Sequence, residues 1–117
     1  MIKNKTGVWG EIFTSRYLRD RGYNILSTNY ICRFGEVDVI AQKEDAVCFV
    51  EVKTRNEKSK IRPVEAVDEG KIGRVIMTAK NFLSFTKIEA QPRFDVCEVY
   101  LDDNNALVEI NYIENAF

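Results

Sequence analysis

The chain has 117 residues, 45% hydrophobic and 30% charged, with a formal net charge of −1. That length predicts a single domain, residues 1–117, with a core that needs no disulfide or metal staple, and the composition excludes general disorder. The longest apolar run, Ala46 to Val50, falls far short of the roughly 20 residues of a membrane helix or the ~7–15 of a signal-peptide core, so a cytoplasmic protein with no membrane partner is expected.

Trp9, Ile12, Phe13 and Tyr17 recur at three- to four-residue spacing with Leu18 beside them, which predicts a helix over residues 8–21. Gly22 ends it. Residues 23–31 read as extended but irregular. Gly35 opens a short strand over 36–41, Lys43-Glu44-Asp45 is a polar turn, and the β-branched and aromatic run 47–54 is a second strand. The basic stretch up to Arg62 reads as a loop. Pro63 suits the first turn of a helix, and Val67, Val75, Ala79 and Phe82 mark its stripe over residues 64–85. Gly70 and Gly73 each weaken that helix by about 1 kcal/mol relative to alanine, so a kink or break near residue 70 is expected. Residues 93–101 and 106–113 read as a terminal hairpin around Asp102-Asp103-Asn104-Asn105. The order is α-β-β-β-α-β-β.

The chain has no histidine. Ser-His-Asp and Cys-His catalysis and histidine-ligated zinc are therefore excluded. The three cysteines, Cys32, Cys48 and Cys97, form no CxxC pair and read as small hydrophobes in a reduced compartment. Acid, base and metal chemistry is thus left mainly to carboxylates, lysines and tyrosines. Charge is unevenly spread. All 17 basic residues fall at or before Arg93, and the short stretch Lys53, Arg55, Lys58, Lys60, Arg62 is opposed only by Glu57. Such a patch steers toward phosphate, or is simply a solvated loop.

On a strand, residues two apart share a face, which groups Glu36 with Asp38 and Glu51 with Lys53. Pairing the two strands as a hairpin, with Gln42 opposite Val47, sets Ile40 against Phe49, Asp38 against Glu51 and Glu36 against Lys53. Opposed carboxylates should repel. A divalent cation between them would compensate, and oxygen ligands suit Mg²⁺ or Mn²⁺. Lys53, on the same face, could orient a water or stabilise charge on a phosphate. The plainer reading is a Glu51–Lys53 ion pair at a strand end. Glu11 adjoins the apolar stripe of the first helix and can point toward the sheet edge, or stand solvated near the helix start. Lys71 lies on the line Val67–Lys71–Val75 and either snorkels or reaches a phosphate.

Gly10-Glu11, Gly35-Glu36-Val37-Asp38, Val50-Glu51-Val52-Lys53 and Arg93-Phe94-Asp95-Val96 resemble the motifs of the YraN-like family of small bacterial proteins, with Asn29, Arg33, Pro63, Glu65-Ala66-Val67 and Lys71 matching as well. The likeness covers roughly residues 7–100. That family is similar to the PD-(D/E)XK nucleases, and closest to archaeal Holliday-junction resolvases. The resemblance implies a restriction-endonuclease-like α/β fold, a central mixed sheet flanked by helices. It implies Asp38 and Glu51 as metal ligands, Lys53 as the catalytic lysine, Glu11 as a helix-borne acidic partner, also near the metal, and Glu36 and Lys71 as supporting residues. The chain departs from the superfamily's name in carrying Val37, not proline, before Asp38.

Together these readings predict a Mg²⁺- or Mn²⁺-dependent endonuclease acting on DNA, branched or flapped, chosen by structure rather than by sequence. Arg55, Lys58, Lys60, Arg62, Lys71 and Arg74 would grip the backbone. A homodimer aligning two sites is compatible with this chemistry. The alternative is a non-catalytic nucleic-acid-binding module that keeps the nuclease fold. A small-molecule phosphatase fits the basic loop less well.

Overall fold

The computed structural model describes residues 5–59 and 69–117. The elements run α1 (Lys5–Asp20), β1 (Asn24–Cys32), β2 (Gly35–Lys43), β3 (Ala46–Asn56), a 3₁₀ turn (Glu57–Ser59), α2 (Glu69–Thr86), β4 (Gln91–Leu101) and β5 (Leu107–Ile113). This is the α-β-β-β-α-β-β order expected. The five strands form one sheet in the order β1-β2-β3-β4-β5. Only β3 and β4 pair in parallel, the other neighbours being antiparallel. A parallel pair needs a crossover connection, and α2 lies within it.

Each face of the sheet has its own core. On the α1 face, Leu18 packs with Val39, Ala41, Cys48, Val50, Cys97 and Val99, all fully buried. On the α2 face, Val75, Ala79 and Phe82 cover Val37, Ile40, Val47 and Phe49. Two covered faces explain why β3 reads as a continuous apolar run from Val47 to Val50. Helix α1 sits close against β3 at Gly10. A Cβ there would lie 1.9 Å from Thr54 Oγ1 and 3.1 Å from Val52 Cγ1, so no larger residue fits without moving the helix. Gly22, at φ +88°, ends α1 in the left-handed conformation that glycine adopts freely.

The β2–β3 hairpin keeps the register read from the sequence, Gln42 opposite Val47 and Ile40 opposite Phe49. It is tighter than expected, because Lys43 and Ala46 also pair and only Glu44-Asp45 remain as the turn. The ladder runs to Val39–Val50 and stops there. The next expected oppositions, Asp38 with Glu51 and Glu36 with Lys53, do not belong to it. Asp38 Oδ2 instead accepts the Val52 backbone N–H at 2.8 Å. A side chain has taken the place of a backbone partner, and the two strands part.

A second difference concerns the basic stretch. Arg55 and Asn56 continue β3 rather than starting a loop, because β4 supplies ladder partners as far as Arg55–Tyr100 and Asn56–Leu101. Helix α2 is described from Glu69, and the predicted turns at 64–68 lie outside the described residues.

Candidate active site

Where β2 and β3 part, they leave a concavity lined by Glu36, Asp38, Glu51, Lys71, Val75 and Phe117, among others. Strand parity accounts for Glu51. Val52 and Thr54 face Gly10 of α1, so Glu51 and Lys53 point to the other side, toward α2. Lys71, in the first turn of α2, pairs with Glu51 Oε1. The Glu51 side chain is 14% exposed, and its Oε2 is buried with no hydrogen-bond partner among the described residues. A buried carboxylate oxygen left unpaired costs about 1–3 kcal/mol, so such atoms call for an explanation.

The structure therefore brings Asp38, Glu51, Glu36 and Lys71 to one concavity. Lys53 shares the Glu51 face by parity but is not among the residues lining it, and its register partner on β4 is the buried Glu98. Glu11 lines a different concavity, on the α1 side, with Ser15, Arg16 and Thr28. Its carboxylate accepts a 2.9 Å hydrogen bond from Asn29 Nδ2. Asn29 lies between the pairs Thr28–Val39 and Tyr30–Val37, and so stands beside Asp38 in the register. It adopts φ 55°, outside the usual strand range. Glu11 thus adjoins the parting strands through Asn29. Among the described residues no three acidic or cysteine side chains form a ready-made metal-binding group.

Besides Lys71, which pairs with Glu51, two more of the expected backbone-gripping cations already have acidic neighbours. Arg55 Nε lies 3.6 Å from Glu98 Oε2, and Lys58 Nζ lies 3.0 Å from Asp103 Oδ2. Lys60 and Arg62 lie outside the described residues. Arg74 is exposed near the β1–β2 turn. Phe117, tilted against Phe94 with ring centroids 5.7 Å apart, lines one side of the concavity. The sequence carries no local signal for it, since only the fold returns the last residue to β4.

The Arg93-Phe94-Asp95-Val96 motif builds something else. Asp95 is fully buried and accepts bonds from Arg93 Nε and Nη2, from the Tyr112 hydroxyl at 2.6 Å and from the Asn115 N–H at 3.0 Å. Arg93 also donates to the Tyr23 hydroxyl at 2.8 Å. Hydrogen bonding to Asp95 holds the Arg93 guanidinium above its ordinary pKa. Burial, reinforced by Asp95, raises Tyr112 as well. Every group in this cluster is used in tying the chain end to the sheet.

The fold and the concavity together define an α/β protein with a five-stranded mixed sheet, consistent with a restriction-endonuclease-like fold, carrying paired carboxylates and a lysine where two strands separate. The chain belongs to the family described as "Uncharacterised protein family UPF0102", the YraN-like family, whose model matches residues 10–99. It is 41% identical to the UPF0102 protein of Clostridium acetobutylicum, over 99% of this chain and 96% of that protein. It is 39% identical to the UPF0102 protein of Caldanaerobacter subterraneus subsp. tengcongensis, over 98% and 96%. The UPF0102 protein of Dictyoglomus thermophilum is 39% identical over the whole of both chains.

Proposed function

We propose that this protein is a metal-dependent endonuclease that hydrolyses phosphodiester bonds in DNA. The observation that carries the reading is the buried, unpartnered Glu51 Oε2 in the concavity that Asp38 also lines. An acceptor without a donor is suited to a cation. Mg²⁺ is commonly held by one or two carboxylates together with waters and substrate phosphates, so two carboxylates fit it or Mn²⁺. Asp38 and Glu51 would hold the ion, which when bound would polarise the scissile phosphate and acidify a water.

The remaining roles fall to this chain's own groups. Lys53, on the Glu51 face, would orient the attacking water or neutralise charge gathering on the phosphate. Glu11 would act from the α1 side through Asn29, fixing the edge of β2 beside Asp38. Lys71, a cation already at the concavity, would meet the phosphate. Arg74 would contact flanking backbone without reading sequence.

The test is nicking of supercoiled DNA in Mg²⁺ or Mn²⁺. The native chain should nick, chelator should stop it, and Glu51→Ala should abolish it. A second reading is supported by Lys53 standing outside the lining of the carboxylate concavity while Arg74 is exposed beside it: a nucleic-acid-binding module without cleavage. It is favoured if DNA binds but is never cut and Glu51→Ala binds as the native chain does.

A further inference from the structure

Beside the carboxylate concavity lies a second one, of about 440 Å³. From the sheet it is lined by Ile31, Cys32, Gly35 and Glu36, and from α2 by Lys71, Arg74 and Val75. Its size is within the roughly 300–1,000 Å³ of small-molecule sites. The two concavities share Glu36, Lys71 and Val75. Whatever occupies the second is therefore a direct neighbour of a group bound in the first.

Its chemistry is divided. Ile31 is 58% exposed, an unusual position for a large β-branched side chain on a strand. Val75 supplies apolar floor, while Lys71 and Arg74 put cations on one wall. Outside the lining, in the turn that closes β1 onto β2, the Arg33 guanidinium lies 4.7 Å from the centroid of the Phe34 ring. On one side of the concavity α2 comes close to the start of β2. A Cβ on Gly35 would be 3.4 Å from Thr78 Oγ1 and 3.7 Å from Arg74 Cβ. An apolar slot with two cations on its α2 wall and one carboxylate, Glu36, on its sheet side, next to a phosphate-binding candidate, complements a flat apolar group whose flanking anions lie along α2. A base within a duplex is stacked and paired, and cannot enter such a slot.

We propose that this slot receives an unpaired nucleobase adjoining the phosphate met by Lys71, so that the substrate class is single-stranded DNA or an unpaired segment of branched DNA. The inference rests on the phosphodiesterase reading of the first concavity. Ile31 and Val75 take the base, and Lys71 and Arg74 take the phosphates that flank it. Specificity then comes from strand state and not from base identity, because an apolar slot offers no hydrogen-bond code and every base has an apolar face.

The experiment is equilibrium binding in chelator, where no cleavage occurs. Three fluorescein-labelled probes are compared: an oligothymidylate, a blunt duplex of equal phosphate count, and an abasic strand of the same length. The native chain should bind the oligothymidylate more tightly than the abasic strand. Ile31→Ser should weaken oligothymidylate binding about tenfold while leaving the duplex and the abasic strand unchanged. Ile31→Leu should restore it. Equal loss on all three probes, or no loss on any, overturns the proposal. Base-dependent binding that Ile31→Ser removes supports it even if the native chain never nicks DNA, and in that case only the nuclease reading fails. Nicking lost in Glu51→Ala, without base-dependent binding, upholds the nuclease reading and overturns the slot.

Discussion

Two carboxylates on opposite faces of one sheet, one fully buried and one partly, are treated in opposite ways. Asp95, on the α1 face, has both oxygens engaged, by the Arg93 guanidinium, a tyrosine hydroxyl and a backbone N–H. Glu51, on the α2 face, shares one oxygen with Lys71 and has the other buried without a partner. A satisfied charge is part of the scaffold, because removing any member strands the rest. An unsatisfied one is unexplained by the scaffold and points to something the protein binds. The residue type is equivalent in both places. What separates structure from function is the completeness of the hydrogen bonding.

The largest effect should come from breaking the satisfied cluster. Asp95→Ala takes the buried acceptor from the half-buried Arg93 and Tyr112 and should cost about 3–5 kcal/mol of stability by chemical denaturation. Glu51→Gln removes a charge that is only half compensated, and should change stability by less than about 1 kcal/mol in chelator. Similar losses in the two variants would break the contrast.

Alkaline titration should also single out the α1 face. Burial raises the Cys48 thiol to about 11, with Asp95 adding to the effect, and raises Cys97 to about 11. A pKa above the unfolded value favours the neutral thiol in the fold. That stability is complete below about pH 9 and is lost as pH rises toward 11, by on the order of 2 kcal/mol per thiol. Replacing both cysteines with alanine should flatten the slope of stability against pH between 9 and 11, after allowing for its own packing cost. An unchanged slope would remove the thiols from the account.

The two helices should differ in how they tolerate a methyl group. Gly10→Ala forces α1 off Thr54 and should cost about 1–3 kcal/mol. Gly73→Ala meets nothing within 4 Å, and should stabilise α2 by up to about 1 kcal/mol. Thermal unfolding of the two variants tests the sign of each.

The smallest shift concerns the cation. Millimolar Mn²⁺ should raise the melting temperature of the native chain, equivalent to about 1 kcal/mol, through binding only the folded state. Glu51→Gln should not respond. Lys71→Met, which removes a competing cation from Glu51, should bind Mn²⁺ several-fold more tightly by calorimetry. Weaker binding in Lys71→Met would show that the lysine organises the carboxylate instead of opposing a metal there.

Much of this arrangement was legible from local pattern. The hairpin register of β2 and β3 follows from apolar alternation and a short polar turn, and it is the register observed. Parity alone put Glu51 and Lys53 on one face. The misreadings share a physical cause. The charge of Arg55 favours a loop, yet the residue extends β3 because β4 and the buried Glu98 lie beside it. Asp38 was expected opposite Glu51, yet it ends the ladder by bonding Val52 itself. The Asp95 cluster draws on Tyr23, Tyr112 and Asn115, far apart in the chain, and no spacing rule connects them. Phe117 reaches the concavity only by way of β5.

The parallel pairing of β3 with β4 has a kinetic consequence. The meander β1-β2-β3 and the hairpin β4-β5 are each built from neighbours in sequence and can form by closing short loops. Their union requires the chain to close the long connection that contains α2, spending loop entropy before any contact repays it. The β3–β4 seam should therefore set the refolding rate. Until it forms, the central edge of β3 from Ala46 to Asn56, the longest strand of the meander, stands open. That interval exposes Val47, Cys48, Phe49 and Val50 to other chains, which makes refolding yield fall with protein concentration even though the finished sheet hides the same edge completely.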